Sequence, residues 1–324
     1  MSFTKNSNLT TENRFILLGL TDVPYQKALC VLILLIIYII TLWGNFLLLI
    51  VVRMNTQLQT PMYFFLRNLS VVDIGFSSTI VPKLLIITVM LDRSVSLLEC
   101  ALQMYLHLAL GGTESMLLAV MAYDRFAAIC NPLQYNMVMN KRFCICMAVG
   151  CWTVGFTNSI IHVVLTFKLP FCRSHHLDHY FCEEPPFFKL SCQDTWLNEV
   201  LMYIAAFILG ICCLFLTFVS YAQIIRTIIS IHCTHGRRKA FSTCASHLAV
   251  VFLFYGTILF IYLGPGIAYF TETNKSVSMI YTVVTPMLNP IIYSIRNKEI
   301  KETIRKKLKH LFHKTPEEFP YHPR

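Results

Sequence analysis

No charged residue falls between Lys27 and Arg53. A helix of roughly 20 such residues crosses the hydrocarbon core of a bilayer. The apolar block at 28–52 is followed by others near 61–82, 98–123, 143–166, 197–225, 240–263 and 276–295, the second and third interrupted by Arg67, Asp73 and Glu114. Backbone in hydrocarbon has no water to bond, so each block must close its own hydrogen bonds as a helix. The expected fold is therefore all-α, a seven-transmembrane helix bundle. A chain that is 56% apolar and only 14% charged is too greasy for a soluble domain of ordinary kind. The division that follows is an outer tail over 1–27, the bundle over 28–295 and an inner tail over 296–324. The longest connection lies between the fourth and fifth blocks.

Charge sets the orientation. The connections after blocks one, three and five share a side with the C-terminal tail and carry Arg53, Arg125, Lys141, Arg142, Arg226, Arg237, Arg238 and Lys239, besides the basic residues from Arg296 to Arg324. On the other side basic and acidic residues roughly balance. Positive-inside bias predicts a cytosolic C-terminus and an extracellular N-terminus. The net charge of +10 is thereby used up by the membrane, leaving a nucleic-acid partner nothing to explain. Residues 1–26 lack the apolar core of a cleavable signal peptide, so the first block is expected to act as an uncleaved insertion signal.

Topology sorts the modification sites. Of three glycosylation sequons, Asn68-Leu69-Ser70 falls inside a span and Asn274-Lys275-Ser276 against the membrane, leaving Asn8-Leu9-Thr10 on the outer tail. Of thirteen cysteines, Cys100, Cys172, Cys182 and Cys192 face the oxidising side, and four thiols permit three pairings. Joining Cys100 to Cys182 would pin the long loop over the third span. The others, Cys30, Cys130, Cys144, Cys146, Cys151, Cys212, Cys213, Cys233 and Cys244, read as small packing residues. In the loop run "CRSHHLDHYFCEE" (172–184), His179, Cys182 and Glu183 have spacing that could ligate copper or zinc, unless a disulfide removes the thiol.

Charges within the spans cost at least about 2.5 kcal/mol each on insertion scales. Asp73 and Glu114 lie at comparable depth and, with Asn45 and Asn289, form a candidate polar cluster that either clamps helices, shares protons or holds a cation such as sodium. The last span, "TPMLNPIIYSIRNKEI" (285–300), contains Pro286 and Pro290, whose missing donors predict a loosened helix with the freed carbonyls served by Asn289 and water. Beyond it, Ile300, Ile304, Leu308, Leu311 and Phe312 recur at three or four among lysines and arginines, describing a short amphipathic helix along the inner leaflet.

Taken together, "GN" at 44–45, "PMYFFLRNLSVVD" at 61–73, "MAYDRFAAICNPLQY" at 121–135, "SY" at 220–221, "KAFSTCASHLAVV" at 239–251 and "PMLNPIIYSIRN" at 286–297 resemble the rhodopsin-like G-protein-coupled receptors, and among them the odorant receptors. The resemblance runs along almost the whole chain. It implies bridges Cys100–Cys182 and Cys172–Cys192, a multi-pass plasma-membrane location, a small-molecule odorant as ligand and a heterotrimeric G protein as partner, of the olfactory type that raises cyclic AMP.

Where the third span meets the cytosol, Asp124 can restrain Arg125 and release it when helices move, a two-state latch. The resemblance implies that Arg125 then faces the G protein, with Tyr221 and Tyr293 stabilising the open state and Arg237, Arg238 and Lys239 lining the docking surface. His247, Asn289 and Pro290 complete the implied coupling set. Phe126 stands where that family commonly has tyrosine, and the inner tail has no cysteine for a palmitoyl anchor.

On the third span Met104, His107, Leu108, Gly111 and Gly112 follow helical spacing along one face, and the glycines leave volume for a small molecule. The resemblance turns this face toward a ligand pocket, with Ala205, Phe207, Leu209, Ile258, Leu259, Tyr262 and Met279 as other walls and His107 and Tyr262 as polar contacts. An apolar volatile would bind loosely there.

Other functions fit less well. A retinal protein needs a lysine in the last span, and 276–295 contains only Ser276 onward to Ile295 with none. A transporter would favour internal repeats, and an enzyme would show a nucleophile or metal motif such as H-E-x-x-H or G-x-S-x-G. Neither pattern occurs in the sequence.

Overall fold

The computed structural model describes residues 14–21, 23–90, 92–172, 175–230, 234–263, 272–296, 300, 303 and 305. Side chains at 234–243, 261–263, 272–274 and 294–296 lie outside the described set, as do Asn8, Cys233 and most of the expected inner-leaflet helix.

Long helices dominate: α1 (Pro24–Met54), α2 (Pro61–Val89), α3 (Leu97–Cys130), α4 (Lys141–Phe167), α5 (Trp196–Ser230) and α6 (Thr234–Leu263). The seventh, α7, is the continuous run of Glu272–Met279, a π-helical Ile280–Val284 and Thr285–Arg296. The expected blocks are the cores of these helices. The first five are each long and apolar enough to cross a membrane. Start signals are local. Proline occupies the first turn of α1 and α2, Ser96 and Glu99 form a reciprocal capping box on α3, and Asn140 Oδ1 accepts from the Phe143 amide at 2.9 Å to open α4.

Burial is inverted relative to a soluble protein. Trp43, Phe218, Ile229 and Phe252 are exposed, while Asn45, Asp73, Glu114, Asp124 and Asn289 are buried. This is the pattern of a bundle whose outer face meets lipid and whose polar groups face one another. Small residues let helices approach. A Cβ on Gly155 of α4 would sit 2.6 Å from the Ala109 carbonyl oxygen of α3, and Ser159 Oγ donates to the Tyr105 carbonyl at 2.6 Å across the same contact.

The "GN" pair explains how α7 tolerates its prolines. Pro290 has no amide hydrogen, so the Pro286 carbonyl loses its helical donor. Asn45 Nδ2 of α1 supplies one at 3.1 Å. Gly44 makes this possible, since a Cβ there would lie 3.0 Å from Pro290 Cγ. The expected donor, Asn289, points elsewhere: its Nδ2 donates to Asp73 at 2.9 Å. A side chain inside the same helix cannot easily turn back to a carbonyl one turn up when a buried carboxylate competes for it.

Two irregularities were not expected. α5 carries a π-helical segment at Ala206–Cys212, and α7 its own at Ile280–Val284. The N-terminal tail is also not wholly free. Strand β1 (Arg14–Leu17) pairs antiparallel with β2 (Ser94–Ser96) and parallel with β3 (His176–Leu177), giving a small sheet in the order β2-β1-β3. Phe15 and Leu17 alternate inward. Phe15 meets Phe171 and Phe187 with ring centroids 5.5 and 5.0 Å apart, so the tail is stapled to the long loop.

Candidate functional site

The long loop between α4 and α5 is folded into the bundle. Cys182 is bonded to Cys100 of α3, and Cys172 to Cys192, with Cα–Cα distances of 5.4 and 5.8 Å. The Cys182 amide donates to Gln103 Oε1 at 2.9 Å, and Tyr180 Oη lies 3.0 Å from Thr282 Oγ1 of α7. Tyr180, Phe181 and Cys182 are fully buried as a result. With Cys182 spent in a disulfide, the metal reading of His179, Cys182 and Glu183 fails, and no cluster of three or more metal-ligating side chains occurs among the described residues. His179 Nε2 stands 3.7 Å from Glu183 Oε2, past hydrogen-bond reach. Burial, reinforced by the charge of Lys275, pushes the His179 imidazole down to about 3.

Beneath this plug lies a cavity of about 110 Å³ between α3, α4, α5, α6 and α7. From the expected set it brings together His107, Leu108, Gly111, Gly112, Ala205, Leu209 and Ile258. Met104 instead packs in the hydrophobic core, and Met279 is half-buried against it. Phe207 and Leu259 line a separate apolar groove on the outer surface of α5 and α6. The reason for Phe207 is periodicity: two residues after Ala205 on a helix is the opposite face. The Tyr262 side chain lies outside the described residues.

The cavity also has a polar side that sequence reasoning missed. Asn158 and His162, one turn apart on α4, and Glu184, the first residue of the short helix Glu184–Leu190, line it. His162 Nδ1 is 3.0 Å from Glu184 Oε1, and Thr166 Oγ1 donates to the same oxygen at 3.2 Å. Two polar residues at i and i+4 inside an apolar span were the available signal. Opposite them, His107 Nε2 lies 3.0 Å from Tyr281 Oη, and Tyr281 donates to Glu183 Oε1 at 3.3 Å. Phe181 and Phe76 cover the His107 ring with centroids 4.9 and 5.2 Å away.

Lower in the bundle, Asn289 Nδ2 reaches Asp73 Oδ1 at 2.9 Å and, more distantly, Glu114 Oε1 at 3.5 Å. Asn45 does not bond to this trio; its amide serves Thr41 and Pro286 carbonyls. Asp73 Oδ2, Asn289 Oδ1 and Asn45 Oδ1 are buried with no hydrogen-bond partner among the described residues.

At the end of the bundle away from the plug, Arg125 is paired with Asp124 through two guanidinium nitrogens, with Nε at 2.9 Å. Tyr135, in the connection before α4, donates to the other carboxylate oxygen at 2.8 Å. Tyr221 of α5 and His247 of α6 are hydrogen-bonded nearby, over a small core that includes Ala122, Ile224 and Cys244 and is flanked by Phe126. Tyr293 is buried. Arg237, Arg238 and Lys239 belong to the start of α6, and their side chains lie outside the described set.

Comparison with known proteins accounts for this arrangement. The olfactory receptor family model matches residues 34–311. The chain is 44% identical to human olfactory receptor 2G6 over 93% of its length and 95% of that protein's. It is 44% identical to mouse olfactory receptor 5AP2, again over 93% and 95%, and to human olfactory receptor 13D1 over 96% and 89%. A helical membrane bundle with two loop disulfides, a small cavity under the plug and an Asp-Arg pair at the far end of the same helix belongs, in this chain, to a member of the olfactory receptor family, which is a family of G-protein-coupled receptors and not of enzymes.

Proposed function

We propose that a small, mostly apolar volatile molecule occupies the cavity under the plug and that its binding activates a stimulatory olfactory-type G protein, raising cyclic AMP. The observation that carries this reading is that one helix, α3, lines the cavity through His107, Leu108, Gly111 and Gly112 and ends in the Asp124–Arg125 pair. A ligand that favours one packing of α3 against α5 and α6 thereby biases the latch, and it can shift the equilibrium only by its difference in affinity for the two packings. The reading includes an extracellular N-terminus with Asn8 as the glycosylated residue, and a cytosolic inner tail held by its basic amphipathic helix. Arg237, Arg238 and Lys239 supply positive charge to the G-protein docking surface.

The decisive experiment is a chemically broad odorant panel on cells expressing this chain, with cyclic AMP as readout, paired with GTP loading of purified stimulatory and inhibitory G proteins. Silence across the panel in both assays overturns the proposal, and loading of the inhibitory protein alone overturns the cyclic AMP branch.

A second element of the reading is sodium at Asp73, supported by the three buried oxygens of Asp73, Asn289 and Asn45 that lack partners among the described residues. A hard cation prefers such oxygen ligands. Sodium titration should raise the melting temperature of the purified receptor, and Asp73→Asn should remove that rise.

A further inference from the structure

We infer that this receptor selects ligands carrying a hydrogen-bond donor, a hydroxyl or an amine, at one end of an apolar body, and that Glu184 and His162 are the residues that read it. The inference rests on the cavity being the ligand site, as proposed above.

The argument is an inventory of donors and acceptors. Glu184 and His162 both line the cavity and both are more than nine-tenths buried. The two hydrogen bonds that Glu184 receives, from His162 Nδ1 and Thr166 Oγ1, land on the same oxygen, Oε1. Oε2 is left as a carboxylate acceptor. Donation from Nδ1 fixes the histidine tautomer, so that in the neutral ring Nε2 carries a lone pair. On the opposite wall Tyr281 gives its proton to Glu183, so that His107 donates from Nε2 to Tyr281 and neither group offers the cavity a free donor. Ser115 Oγ has its one proton committed to the Leu209 carbonyl or the Tyr255 hydroxyl. Among the described lining residues, Asn158 brings a side-chain amide donor. The polar wall is thus dominated by acceptors, while the rest is Leu108, Leu209, Phe254, Ile258 and glycine backbone.

An acceptor-only ligand such as an aldehyde, ester or ether would set its oxygen against these lone pairs and leave Glu184 desolvated and unanswered. A site built from buried hydrogen-bonding groups discriminates strongly against an analogue that cannot complete them. An alcohol and a protonated amine share the needed chemistry and differ in charge.

The test uses the full-length receptor and a matched series on one carbon skeleton: primary alcohol, primary amine, methyl ether and aldehyde. Potency in the GTP-loading assay is measured alongside ligand-induced thermal shift of the purified receptor, with surface delivery monitored. The alcohol or amine should exceed the ether and aldehyde by roughly ten- to a hundredfold, the factor that leaving one buried polar group unanswered brings. Preference for the amine over the alcohol assigns the carboxylate charge as the reader, and preference for the alcohol assigns a neutral pair. Glu184→Gln tests the residue while keeping shape: its carbonyl can still accept from His162 and Thr166, and its amide turns a donor toward the cavity. That variant should lose potency for the donor ligands and gain it for the aldehyde. His162→Gln should weaken the donor ligands without the gain. Equal potency across the wild-type series, or a Glu184→Gln effect that moves all four ligands alike, overturns the inference and leaves the pair as a tie between loop and α4. Thermal shifts with this ranking but no GTP loading would instead count against the signalling reading while upholding the selectivity.

Discussion

Tyr221 Oη and His247 Nδ1 lie 2.7 Å apart, with their rings stacked at 5.7 Å, and this bond joins α5 to α6 at the Asp124–Arg125 end of the bundle. Both side chains are buried. Removing one partner of a buried hydrogen bond leaves the other desolvated, at about 1–3 kcal/mol, whereas removing both can be nearly neutral. Tyr221→Phe should therefore lower the melting temperature of the purified receptor, and Tyr221→Phe with His247→Phe should recover much of the loss. Additive losses in the double variant would mean that the bond carries no energy of its own.

Asp124 holds Arg125 while Tyr135 holds Asp124, so the restraint on the arginine is two bonds deep. Asp124→Asn keeps the size and a partner for Tyr135 but loses the charge that makes the pair strong. If this contact restrains the resting packing, basal GTP loading should rise by about fivefold or more, the factor that a loss of about 1 kcal/mol brings. Tyr135→Phe, which loosens the acid without discharging it, should raise basal loading less. Unchanged basal loading in Asp124→Asn, at normal surface delivery, would rule out the latch.

The spans were legible because charge is expensive in hydrocarbon and its absence is easy to see, as between Lys27 and Arg53. The sheet was not: "RFIL" at 14–17 is too short for its alternation to stand out, and its partners are fixed only once Cys182 ties the loop to α3. The two π-helical segments have no compositional mark, since Ala206–Cys212 is as apolar as its flanks. On α3 the cavity face was readable from spacing through His107, Leu108, Gly111 and Gly112. On α5 it was half readable, because Ala205 and Leu209 share a face and Phe207 cannot. Glu184 escaped notice because a loop residue acquires a place in the cavity through chain folding that periodicity does not encode. The "GN" motif had been recognisable by resemblance, while its physical purpose, room for Pro290 and a donor for Pro286, exists only in three dimensions.

Gly155 and Gly150 occupy the same helix and should respond oppositely to alanine. A Cβ on Gly155 would meet the backbone oxygen of Ala109 at 2.6 Å and the amide nitrogen of Thr113 at 3.1 Å, neither of which can move aside as a side-chain tip can. Gly155→Ala should push α3 and α4 apart and destabilise the receptor by about 1–3 kcal/mol, the usual range for overpacking. Gly150 has open space around it, and Gly150→Ala should be neutral or stabilising by up to about 1 kcal/mol through reduced backbone freedom. Melting of both variants in one detergent checks the pair, and equal behaviour would refute the close-approach account.

The plug should also be sensitive to acid through His179. Its ring is fully buried, between Tyr180 and Phe181 at centroid distances of 4.6 Å each, with Lys275, Glu183 and His107 as the charged or titratable groups around it. Burial first, then the positive charge of Lys275 and the nearby His107 imidazole, bring the ring from its ordinary 6.5 to about 3, against a smaller opposing effect of the Phe181 backbone. The sign follows from proton counting: between these two values the unfolded loop binds a proton that the folded plug refuses, so stability rises with pH across the window. The full contribution is present above about 6.5 and is lost progressively as pH falls toward 3. The melting temperature of the purified receptor should therefore drop between pH 7 and pH 5, and His179→Gln, which cannot titrate, should show a shallower drop. The same slope in both proteins would mean that other groups carry the acid sensitivity.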